Sequence, residues 1–264
     1  MASSESYTSE TQSFYDDLAS DYHLVYPDWD RSIERQAAAL DTVIQSSLNR
    51  DRASVSVLDC SCGIGTQTIG LAKLGYRLRS TDLSPAAVAR AKREADARGH
   101  EIAFSAVNML DLDSVVQDPF DNVLSCDNAL SHIQSDEDLT QAIRQMSGRL
   151  KPDGLLMAGI QDHDLLAEKR PRNTFIRDHV VDDTRVLVFQ IREWFDNPEG
   201  YDFEHFIMTE SDGEWTTRTR KGRYRAWKRA ELSRIASDAG LSDVTWHSSE
   251  ETGYFEWLLT ARKN

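Results

Sequence analysis

The chain has 264 residues, 30 of them basic and 44 acidic, giving a formal net charge of −14 at pH 7. Such acidity argues against nucleic acid and against an anionic membrane surface, both of which need cationic patches, and leaves a small molecule as the simplest partner. The length suits one α/β domain with an elaboration, no apolar run is long enough to cross a bilayer, and the N-terminus lacks the basic and apolar regions of a secretory signal. The three cysteines are odd in number, and Cys60 and Cys62 sit too close together for a disulfide framework, so a cytoplasmic location and no metal site are expected.

Residues 1–12 are polar and read as a frayed end. Phe14, Leu18, Tyr22 and Val25 then recur at helical spacing, with Tyr15 and Ala19 beside them. A second helix is expected from Ile33 to Leu48. Val55, Val57 and Leu58 predict a buried strand that ends at Asp59. Gly63 and Gly65 permit a tight turn and a close backbone approach to a ligand. Thr66–Leu74 reads as the helix that follows. Tyr76–Asp82 is a second strand ending in an acid, and Ser84-Pro85 opens another helix as N-cap and first turn.

A strand, a glycine turn and a helix place a ligand at the carboxyl end of the strand. Asp82 lies where a carboxylate accepts both ribose hydroxyls of an adenosine ligand. A dinucleotide fingerprint requires a third glycine where this chain has Thr68, and it gives no role to Asp59. A ligand with an ammonium group explains Asp59 better, by direct contact or through water.

Further along, Ile102–Val107 predicts a third strand ending at Asn108-Met109-Leu110. Strand four follows Pro119-Phe120-Asp121 and ends in Cys126-Asp127-Asn128-Ala129-Leu130-Ser131-His132. Ser135 caps a helix that runs to Leu150, and Lys151-Pro152-Asp153-Gly154 turns into strand five. From Gln161 to Trp227 the pattern alternates in three stretches, Arg185–Trp194, Tyr201–Thr209 and Glu214–Tyr224, with Asp212-Gly213 as a hairpin turn. A helix over Glu231–Ala239 stops at Gly240, and strands over Val244–His247 and Phe255–Ala261 close the chain.

The stretch L-D-C-S-C-G-I-G-T, with Asp82, resembles motif I and the following acid of class I S-adenosylmethionine-dependent methyltransferases. Serine at position 61 departs from the glycine or alanine of that family, and a slightly altered loop is expected. F-Y-D-x-L-A-x-x-Y-H, from Phe14, resembles the N-terminal helix of small-molecule methyltransferases, whose second tyrosine contacts the methionine end of the cofactor. C-D-N-A-L-S-H resembles the glycine/sarcosine N-methyltransferase-like branch.

The resemblance implies a Rossmann-like α/β fold: a seven-stranded, mostly parallel sheet with an antiparallel last strand, an N-terminal helical lid and a small antiparallel β insert. Divisions are expected at 1–50 (lid), 51–162 (cofactor-binding core), 163–227 (substrate roof) and 228–264 (completion of the core). The cofactor is S-adenosyl-L-methionine. Its expected binding residues are Tyr22, Trp29, Asp59, Cys60, Gly63, Gly65, Thr66, Asp82, Leu83, Asn108, Met109, Leu110, Asp127, Asn128 and His132. Asn128 and His132 carry over as catalytic residues, and Tyr15, Arg170, Arg172, Trp194 and Tyr224 are candidates for substrate contact. The expected reaction is in-line methyl transfer, with N-methylation of an amine or amino acid derivative ahead of C- or O-methylation. A nicotinamide oxidoreductase and a silent adenosyl-binding module stay open as alternatives, as does a homodimer.

Overall fold

The structure, a computed structural model, describes residues 4–264. Helix α1 (Ser4–Leu18) is followed by a short 3-10 turn at Tyr22–Val25 and by α2 (Trp29–Leu48). The periodicity read through Val25 as one helix therefore breaks after Leu18. The break is fixed by Asp21, which is buried and bonded by two arginines from far along the chain, Arg218 at 2.8 Å and Arg220 at 2.6 Å. The expected frayed end is helical from Ser4 onward, and its first three residues lie outside the described residues.

Alternating strands and helices follow: β1 (Ser56–Asp59), α3 (Thr66–Lys73), β2 (Arg77–Asp82), α4 (Pro85–Ala97), β3 (Ala103–Ala106), β4 (Phe120–Ser125), α5 (Asp136–Gly148), β5 (Leu150–Ile160) and α6 (His163–Lys169). Four antiparallel strands come next, β6 (Arg177–Val181), β7 (Thr184–Asp196), β8 (Glu199–Ser211) and β9 (Glu214–Arg225). Then α7 (Arg229–Asp238), β10 (Leu241–His247), a single helical turn α8 (Ser249–Thr252) and β11 (Trp257–Lys263) return to the first sheet.

That sheet has the order β10-β11-β5-β4-β1-β2-β3. Only β11 runs against its neighbours, so the expected fold class stands. The central strands are apolar on both faces, with Val57, Leu58, Val123, Leu124, Leu156 and Met157 fully buried between helices, as parallel strands covered on two sides require. The order reverses between β1 and β4, which opens a crevice at their carboxyl ends.

The second sheet has the order β6-β7-β8-β9. Its first strand was not expected from sequence, because the turn into β7 is Asp182-Asp183, two left-handed residues (φ 48° and 64°) without a glycine to mark them. Helix α1 packs against β9 and α4, and so bridges the two sheets at the crevice.

Helices α2 and α3 touch at Gly70. A β-carbon there would lie 2.6 Å from both the Ala37 methyl and the Ile33 carbonyl oxygen. Gly70→Ala is expected to destabilise the fold by about 1–3 kcal/mol through overpacking, seen as a lowered Tm in thermal denaturation.

Candidate functional site

One cavity of about 1090 Å³ opens at the carboxyl ends of β1, β2 and β4. Its floor is the turn after β1. The amide of Cys60 bonds the Leu124 carbonyl at 2.8 Å and that of Cys62 bonds the Thr81 carbonyl at 3.0 Å, so the chain stays tied to both flanking strands as it leaves the sheet. Gly63 (φ 52°) and Gly65 (φ 96°) then turn in the left-handed region, where a β-carbon is strained. Ser61 lines the cavity and shares a 2.9 Å hydrogen bond with the Ser125 hydroxyl, which accommodates its hydroxyl inside the turn.

Asp82 closes this floor from β2. One carboxylate oxygen accepts the Gly63 amide at 2.8 Å and the other accepts the Ser84 amide at 2.9 Å. Burial raises its pKa, and these amides oppose the shift. Each oxygen keeps lone-pair capacity for a further donor. Leu83, Met109 and Leu110 supply apolar wall beside it. Asn108 also lines the cavity, but its side-chain carbonyl accepts the Leu110 amide at 3.0 Å and so closes a local turn.

At the opposite wall Asp127 and Asn128 are both left-handed (φ 57° and 60°). Tyr22 and Tyr26 donate to one Asp127 oxygen at 3.3 and 3.4 Å, with their rings stacked 6.4 Å apart. Burial raises the Asp127 pKa, and Tyr22, the Arg177 charge and Tyr26 oppose it. The turn is held from the end of the chain by buried Glu256, which accepts the Asn128 amide at 3.1 Å. Burial and the Asp127 charge push the Glu256 carboxyl well above the usual carboxylate range.

His132 faces the cavity and shares a 2.9 Å hydrogen bond with the Tyr15 hydroxyl. Burial pushes its pKa down to about 3, so the ring is neutral at ordinary pH and a weak base. Tyr15 is raised, chiefly by burial, and keeps its proton. The pair therefore orients groups rather than carrying charge.

Residues 57–154 match a family described as "Methyltransferase domain". The glycine/sarcosine N-methyltransferase of Parasynechococcus marenigrum (strain WH8102) is 31% identical over 143 residues, 53% of this chain and 50% of that protein. The glycine N-methyltransferase of Rattus norvegicus is 30% identical over 149 residues, 52% of this chain and 48% of that protein. The match thus spans about half the length of these relatives. Among solved structures, Streptomyces venezuelae DesVI superposes with a TM-score of 0.78 at 17% identity, covering 93% of this chain and 98% of that one. SAM-bound CalS10, an amino pentose methyltransferase from Micromonospora echinaspora, has a TM-score of 0.70 at 17% identity, over 88% and 92% of the two chains.

Residues 57–154 are therefore those of a methyltransferase domain.

Several candidate residues do not face the cavity of this methyltransferase domain. Trp29 donates to the Thr66 hydroxyl at 2.9 Å, with Arg90 and Arg98 over its ring, and braces the start of α3. Gly65 packs on Ile69 and Ala91. Asn128 turns inward, its carbonyl accepting from Ser131 at 2.8 Å and from the Gln161 amide at 3.1 Å. Tyr224 lies behind His132, ring centroids 4.6 Å apart. Arg170 and Arg172 border an adjoining depression that shares Glu193, Trp194, Asp202 and Arg223 with the cavity, and Arg170 is taken by Asp196 at 2.6 Å and Glu199 at 2.8 Å. Tyr15, Tyr22, Cys60, Gly63, Thr66, Asp127, His132 and Trp194 do line the cavity, with Asp82, Leu83 and the Asn108–Leu110 turn.

Sequence reasoning passed over Tyr26, Glu256, Glu193 and Asp202. Tyr26 had a signal, its four-residue spacing from Tyr22. The others are brought in by strand pairing and by the chain end, and no local pattern marks them.

Asp59 also turns away from the cavity. It accepts the Thr68 hydroxyl at 2.7 Å and the Ser61 amide at 3.2 Å, and so braces the glycine turn from beneath. Burial raises its pKa from 3.8 to about 7, against both hydrogen bonds. The folded state therefore holds a proton that the unfolded state has lost, and stability falls as pH rises through that window. Asp59→Asn removes this term. Its Tm relative to wild type is expected to rise between about pH 4 and about pH 7, checked by paired thermal melts.

Proposed function

We propose that the protein is an S-adenosylmethionine-dependent methyltransferase of small molecules, and that its acceptor is an amine. One observation carries the reading: the left-handed turn at Gly63 and the Asp82 carboxylate bonded to its amide bound a single cavity at the switch point of the sheet. The residues present fit the cofactor. Asp82 has lone pairs left for ribose hydroxyls, Leu83, Met109 and Leu110 offer an apolar slot for a purine, and Asp127 with Tyr22 and Tyr26 offers an anionic, hydroxyl-lined end for an ammonium. When bound, the cofactor supplies a methyl group activated by a sulfonium, whose departing thioether is neutral.

The chain's own task is then alignment and exclusion of water. Tyr15, Tyr22, Trp194 and His132 wall the space beside Asp127. The His132–Tyr15 bond fixes both rings without adding charge. With its pKa near 3, His132 is poorly suited to take a proton from an ammonium, so the amine enters already neutral or sheds its proton to water or a carboxylate. The relatives named glycine/sarcosine N-methyltransferase support nitrogen as the methylated atom.

Calorimetric titration with S-adenosylmethionine, S-adenosylhomocysteine and NADH tests the reading. The first two are expected to bind and the third not, and binding of NADH alone would overturn it. Asp82→Ala is expected to weaken binding of both adenosyl ligands by about 1.5–3 kcal/mol, the value of hydrogen bonds to a charged group. Undiminished binding in a folded variant would remove Asp82 from the ribose site.

A further inference from the structure

Resting on that reading, we propose that Glu193 makes the cavity select an amine acceptor that carries no acid group. The charge of the lining points this way. Among the described residues, Asp82, Asp127, Asp138, Glu193 and Asp202 line the cavity, and Arg223 is the one cation beside them. Arg223 is held by Asp202 through two hydrogen bonds, at 2.5 and 2.7 Å.

Strand register sharpens the point. Glu193 on β7 lies directly opposite Asp202 on β8, and Asp202 lies directly opposite Arg223 on β9. Alternation puts all three on one face of the sheet. Two like charges facing each other across a strand pair are unfavourable unless a cation joins them. The single guanidinium is spent on Asp202, and no ion pair or side-chain hydrogen bond within the described residues engages Glu193. A cationic group entering the cavity relieves this row. A carboxylate entering it adds a further like charge.

The remaining basic residues of this wall do not line the cavity. Arg170 is committed to Asp196 and Glu199, Arg220 to Asp21 and Lys221 to Glu204, while Arg172 and Arg192 border the adjoining depression, which shares Glu193, Trp194, Asp202 and Arg223 with the cavity. Arg177 on β6 is near enough to lower the Asp127 carboxyl but does not line the cavity. An amino acid would therefore bring its carboxylate to a cavity whose one lining cation is already held by Asp202, whereas the same molecule without its carboxyl group would bring only the favoured charge.

The experiment compares matched pairs, each an amino acid and its decarboxylated amine: histidine with histamine, tyrosine with tyramine, serine with ethanolamine. Release of S-adenosylhomocysteine is measured for the wild type and for Glu193→Gln. Among pairs that react, the amine is expected to exceed the amino acid in kcat/KM by about tenfold or more. Glu193→Gln is expected to narrow that ratio by raising KM for the amine with kcat little changed, a split that general loosening of the insert would not give. Equal or better use of the amino acids, or an unchanged ratio in Glu193→Gln, would overturn the inference while leaving the amine methyltransferase reading intact. If S-adenosylmethionine binds and no amine of any pair is methylated, the amine reading falls and this inference with it.

Discussion

The bond from the Gly63 amide to the Asp82 carboxylate joins the ends of two neighbouring parallel strands across the crevice. It extends the tie that the Cys62 amide makes to the Thr81 carbonyl from the end of β2 to the turn itself. With it the turns after β1 and β2 form one surface, and the left-handed backbone at Gly63 is held at the distance that the cavity needs. A β-carbon on Gly63 would stand 3.4 Å from the Tyr22 ring, so the glycine also sets how closely the N-terminal segment approaches. Floor and roof therefore meet at one residue.

The rest of the site is assembled by parts of the chain distant in sequence. Glu256, just before the last strand, holds the Asp127-Asn128 turn. Arg218 and Arg220 on β9 hold Asp21 and with it the break that directs Tyr22 and Tyr26 at Asp127. Each contact spans one hundred residues or more. The last strand runs antiparallel between β5 and β10, and that insertion carries Glu256 to the crevice.

Three buried carboxyl groups, Asp59, Asp82 and Glu256, and half-buried Asp127 gather at or beneath the cavity, and desolvation raises all four pKa values. A core optimised for stability alone would not collect them, because each ionised form is costly in a dry interior. Backbone amides and hydroxyls lower the cost for every member: Ser61 and Thr68 for Asp59, Gly63 and Ser84 for Asp82, two tyrosines for Asp127, and Asn128 for Glu256. Of the four, Asp82 and Asp127 line the cavity, and Asp59 and Glu256 hold its turns from behind.

The sequence by itself determined the strand-turn-helix units and the place of the crevice. Those features are local. Only glycine turns easily at Gly63 and Gly65, buried parallel strands need continuous apolar residues, and a carboxylate at the end of β2 lies beside the turn after β1 in any right-handed crossover. Cys60, Gly63, Thr66, Asp82 and the turn at Asn108 were legible for that reason. Tertiary structure alone decided which side chains face the cavity. Asp59 within the glycine-turn motif and Trp29 shortly after Tyr22 and Tyr26 both point away from the cavity, because Thr68 and Thr66 offer them partners within the protein. Asn128 turns inward to bond Gln161, and the wall of Glu193, Asp202 and Arg223 exists only once three strands are in register. Orientation and cross-strand pairing depend on packing between distant segments, and no pattern along one segment records them.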